Sequence, residues 1–118
     1  MHYKNPFDIV VDVKIAKNGV LFLDMKRIRL LKAVDENGSI NAASKKLGMS
    51  YQQAWHFIRE MNGISPMPLV IRQRGGTNGG GAILTEFGKQ TVGEFEKLVR
   101  NFETIGKERE NGLWLCPF

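Results

Sequence analysis

The run Ser50-Tyr51-Gln52-Gln53, followed by His56 and Arg59, gathers hydrogen-bonding side chains of complementary kinds. A glutamine amide offers a donor and an acceptor in one plane, which suits bidentate pairing with an adenine edge. Serine and tyrosine hydroxyls suit phosphates or base edges. Lys45 and Lys46 precede this run, and Arg72 and Arg74 follow it, all suited to anionic oxygens. His56 joins no carboxylate, serine or cysteine pattern that would make it a catalytic base. It reads as a polar residue on the same face. With no carboxylate pair, nucleophile–base set or metal-ligand spacing, neither an enzyme nor a cofactor is expected. His2 lies far from His56, and the single Cys116 excludes an intrachain disulfide and a cysteine-based zinc cluster. Cys116 reads as an inert thiol.

Helices must present that run. Ser39 caps a short helix with Ile40, Ala43 and Leu47 on one face, and Gly48 stops it. Ala42, Ala43 and Ser44 are small enough for a close helix crossing. Met49 turns inward, and Ser50 caps a second helix with Ala54, Phe57, Ile58 and Met61 spaced for burial, closed by Asn62-Gly63. This reads as a helix-turn-helix over residues 39–61. Trp55 lies beside the buried face and reads as mainly structural, with stacking on a nucleic acid as the other option.

Before it, Asp24 caps a helix from Met25 to Asn37-Gly38. Its cations Lys26, Arg27, Arg29 and Lys32 read as a solvated face. Further upstream, Ile9–Ile15 and Val20–Leu23 flank Asn18-Gly19 and predict a β-hairpin. After the motif, Ser65-Pro66-Met67-Pro68 breaks the helix. Leu69–Arg74 and Ala82–Leu84 then read as two strands around Gly75–Gly81, which holds five glycines in seven positions. A nucleotide-binding loop would end in Gly-Lys-Ser/Thr and open a helix, and this one does neither. Thr85 caps a long helix reaching about Glu110. Phe95, Leu98, Phe102 and Ile105 recur on it at steps of three and four, a heptad-like seam whose alternative is packing within its own domain.

The order of helix, helix, helix and two-stranded wing is that of a winged helix-turn-helix. The expected fold is therefore α+β, mostly helical, with an N-terminal β-hairpin and a long C-terminal helix. In such a fold the second helix of the motif enters the DNA major groove. Lys45, Lys46, Arg72, Arg74 and Arg59 would then neutralise phosphates, while Gln52, Gln53 and His56 read bases, with Ser50 and Tyr51 beside them.

The segment from Gly38 to Lys89 resembles the DNA-binding domain of the molybdate-responsive ModE family of regulators, and more loosely the LysR-type motif. The resemblance rests on Gly38-Ser39-Ile40, Ser50-Tyr51, Ala54-Trp55, Met61-Asn62, the glycine-rich wing, and Ala82-Ile83-Leu84-Thr85 with Phe87-Gly88. It covers about residues 9–100. It implies a homodimeric, sequence-specific regulator of transcription. Full-length members carry molybdate-binding domains after this part. At 118 residues the chain has no room for them, so a separate sensor protein or ligand is the expectation. The wing tip bears Thr77-Asn78 and no lysine within its glycines, which weakens an ionic contact there. The rival expectation is a winged-helix module that binds protein and little DNA.

Composition agrees with one domain, 1–118, divided into a hairpin (1–24), three helices and wing (25–84), and a dimerisation helix and tail (85–118). Of 118 residues, 42% are apolar, enough for a core, and the net charge is +5. The excess sits in the middle: residues 25–50 hold six basic and two acidic groups, whereas residues 85–118 hold five and six. No apolar run approaches a membrane span and no signal core opens the chain, so a cytoplasmic protein is expected.

Overall fold

The computed structural model describes residues 6–73 and 81–113. His2, Arg74, the wing tip over 75–80, and Cys116 lie outside the described residues.

The order is β1 (Ile15–Lys17), β2 (Val20–Leu23), α1 (Met25–Asn37), α2 (Ile40–Leu47), α3 (Tyr51–Ile64), β3 (Val70–Gln73), β4 (Gly81–Leu84) and α4 (Glu86–Glu110). The predicted caps define these helices. Asp24, Ser39, Ser50 and Thr85 each accept from a backbone N–H in the first turn. Gly48 closes α2 at φ 68°, a left-handed conformation that costs an L side chain energy but not glycine.

α1, α2 and α3 enclose a core of Ile28, Leu30, Leu31, Val34, Ile40, Ala43, Ala54, Ile58 and Met61. The antiparallel β3–β4 pair closes it with Leu69, Val70, Ala82 and Leu84. The wing is stitched to the helices by Ala82 N–H donating to the Gly38 carbonyl at 2.9 Å. The first half of α4 adds Val92, Phe95 and Val99 to the same core. Gly88 lies where α4 meets the wing: a Cβ there would collide with the Leu69 carbonyl and the Leu84 side chain.

Four expectations change. The first hairpin strand spans only Ile15–Lys17, and residues 9–11 run instead along the far half of α4. There Ile9 and Val11 pack over Gly106, and Ile9 N–H donates to Glu110 Oε1 at 3.2 Å. α3 does not end at Asn62-Gly63 but reaches Ile64, because Pro66 disfavours helix only at Ser65. Arg27 is no part of a solvated face; it is 6% exposed. Phe95, the first member of the expected seam, is 1% exposed within the chain's own core and so has nothing left to offer a partner.

Candidate nucleic-acid interface

α3 buries Ala54, Ile58 and Met61, and this fixes what it shows. Turning about 100° per residue, the helix points Tyr51, Gln52, Gln53, His56 and Arg59 outward, and all are exposed. Ser50 Oγ accepts from the Gln53 N–H at 3.0 Å and so caps the helix that presents the others, which uses an acceptor lone pair and not its O–H donor.

The wing strand supplies the next piece. Val70 and Arg72 share a face of β3 by period two, and Val70 is buried against the helices. Arg72 therefore leaves the strand toward α3. Its guanidinium lies over the Trp55 ring, 4.1 Å from the centroid, and Nη2 donates to Tyr51 Oη at 3.3 Å. Gln52, Trp55, His56, Arg59 and Arg72 line one open groove of about 660 Å³. Trp55 is thus both half-buried against the core and the platform for a cation.

Two clamps outside the predicted set, Arg27 with its partner Glu60, and Asn62, hold this surface together. Arg27 donates to the Leu21 and Phe22 carbonyls at 3.1 and 3.3 Å and to Glu60 Oε1 at 2.8 Å, and it also packs on Phe57. Glu60 Oε1 lies 3.3 Å from His56 Nε2, so one carboxylate ties the hairpin, α1 and the exposed His56 together. Asn62 clamps the wing: its amide donates to the Val70 carbonyl at 2.9 Å and accepts from Leu69 N–H at 2.8 Å. The only sequence signal for either was a charged or amide residue at a position that helical spacing turns toward another element.

Lys45 and Lys46 sit exposed in the last turn of α2, with Lys46 Nζ 2.6 Å from Glu36. That hydrogen bond, and then the charge behind it, holds the Glu36 carboxyl below its ordinary value. Both partners are solvated, so the pair is weak and its ammonium is free to exchange partners. Among the described residues there is no cluster of three metal-ligating side chains, and no helix is long and apolar enough to cross a membrane.

The family model described as "Bacterial regulatory helix-turn-helix protein, lysR family" matches residues 25–89, spanning α1 to the start of α4. The chain belongs to this family. Within it, the chain is similar to ModE regulators, as its motifs imply. It is 42% identical over 96 residues to the transcriptional regulator ModE of Haemophilus influenzae, covering 81% of this chain and 37% of that protein. It is 40% identical over 93 residues to the DNA-binding transcriptional dual regulator ModE of Escherichia coli K12, covering 79% and 35%. Against the molybdenum transport protein ModE of Azotobacter vinelandii the identity is 44% over 78 residues, covering 66% and 29%. The chain thus spans about a third of the length of these relatives. The kinship is with regulators, not enzymes. The CbnR DNA-binding domain, solved in complex with DNA, has the same fold: TM-score 0.59 at 18% identity, covering 76% of this chain and 98% of that one. The family's winged-helix architecture is therefore the architecture described above.

Proposed function

We propose that this chain binds double-stranded DNA in a sequence-specific manner, as a homodimer, in the control of transcription. The observation that carries the reading is the exposed face of α3, where Tyr51, Gln52, Gln53, His56 and Arg59 stand beside Arg72 of the wing on a winged-helix scaffold. Gln52, Gln53 and His56 read base edges in the major groove. Lys45, Lys46 and Arg59 neutralise flanking phosphates, and Arg74 is assigned the same role from its place in the sequence. The relatives' names support the reading: one is a DNA-binding transcriptional regulator and another is a DNA-binding domain caught on DNA.

The dimer is assigned to the far half of α4. Phe102 and Ile105 are 45% and 52% exposed there, with Leu98 half-buried beside them. Ligand sensing, which the molybdenum names of some relatives suggest, is assigned to a separate protein or to parts beyond the matched third.

Titration of a random-sequence duplex across a salt series tests the reading. Log affinity should fall linearly with log salt, with a slope of about −3 or steeper, one unit for each phosphate neutralised. A module that binds only protein gives almost no binding and no slope. Lys45→Ala, which removes one phosphate contact from each protomer of the dimer, should shallow the slope by about 2 and weaken all duplexes alike.

A further inference from the structure

Arg72 sits in an unusual place for a wing cation. A guanidinium fork matches a phosphate or a guanine edge equally well, so where it is held decides which of the two it meets. Here the guanidinium is held twice: over the Trp55 ring, 4.1 Å from its centroid, and through Nη2 to the Tyr51 hydroxyl at 3.3 Å. Tyr51 and Trp55 lie one turn apart on α3, so the wing arginine is docked on the helix that carries Gln52 and His56 and lines the same groove with them.

We propose that Arg72 is a base-reading residue, pairing with the O6 and N7 acceptors of a guanine beside the bases met by Gln52 and Gln53, and that Trp55 is its positioning residue. The inference rests on the DNA-binding reading above and deepens it. A guanidinium carries five N–H donors in a rigid plane, and Tyr51 takes one of them. The remaining fork matches the two major-groove acceptors of guanine, the commonest specific arginine contact. The indole contributes in two ways. Stacking restricts the rotamers that a free arginine would lose on binding, and the ring face favours the cation. Lysine, with one ammonium and no plane, keeps the charge but neither the stack nor the fork.

The test is competitive gel-shift titration of the full chain on a duplex selected from a random pool, on its single-base-pair variants and on a scrambled duplex. Arg72→Lys should lose about 10- to 100-fold of preference at one G·C pair, well beyond any loss on the scrambled duplex. Trp55→Leu should lose preference at that same pair and no other, with its thermal unfolding checked in parallel. Should that variant fail to fold, Trp55→Phe keeps an aromatic filler with a weaker cation–ring attraction and should show a smaller loss at the same position. Arg72→Lys that leaves every base preference intact, or Arg72→Ala that weakens all duplexes equally, overturns the inference and returns Arg72 to the phosphates. Wild-type chain that binds none of the duplexes overturns the DNA reading itself, so the two failures are distinct.

Discussion

Gln52 stands on the first turn of α3, exposed, at the mouth of the groove shared with His56, Arg59 and Arg72. Its amide contributes no buried packing, so its removal is a clean probe of readout. Gln52→Ala should leave unfolding unchanged and relax discrimination by about 1–3 kcal/mol at the base pair it meets. Competition between selected and scrambled duplexes measures this, and equal loss on both would remove Gln52 from base readout. The exposed face was legible in the sequence because a cap and a buried stripe together fix which side of a helix faces out. Arg27 was not legible. Its neighbours Lys26 and Arg29 are exposed, and only the position of the hairpin above it turns one cation of that run inward onto Glu60 and the Leu21 and Phe22 carbonyls.

At the scale of elements, the wing is placed by its contacts with the helices rather than by its own pairing. Two four-residue strands are marginal alone. Asn62 at the end of α3 holds β3, and Gly88 lets α4 approach the Leu69 carbonyl and Leu84. Asn62→Ala should cost about 1–3 kcal/mol, because it strips a partner from part-buried backbone groups. Gly88→Ala should cost about 1–3 kcal/mol through the forced shift of wing against helix. Gly93 on the same helix has open space around it, so Gly93→Ala should instead stabilise by about 0.4–1 kcal/mol. Urea unfolding of the variants side by side distinguishes local packing from a general effect of glycine loss. Helix starts were readable from Asp24, Ser39, Ser50 and Thr85 because capping is local chemistry. The end of α3 and the path of residues 9–14 were not, because both depend on what packs across from them. The apolar run at Ile9–Val13 satisfies a helix partner as readily as a strand partner, and α4 at Gly106 provides the helix.

At the scale of the whole molecule, α4 divides in two. Its first half is core, with Phe95 the largest fully buried side chain among the described residues, and its second half projects Phe102 and Ile105 into solvent along a body 64 Å long. A 3–4 spacing read from sequence alone merged these two roles, because a core stripe and a dimer seam share the same period. Phe102→Glu with Ile105→Glu should leave the domain folded, shift sedimentation to the monomer, and weaken binding to a two-half-site duplex far more than to a single half-site. Unchanged sedimentation would move the dimer contact elsewhere. Sequence-specific duplex recognition by a symmetric pair of α3 helices is tested by selection from a random duplex pool. A symmetric dimer should enrich an inverted repeat whose half-sites are about 10 base pairs apart, or a multiple of that, centre to centre. Recovery of no enriched sequence, from a chain that also binds duplex without salt dependence, would contradict it.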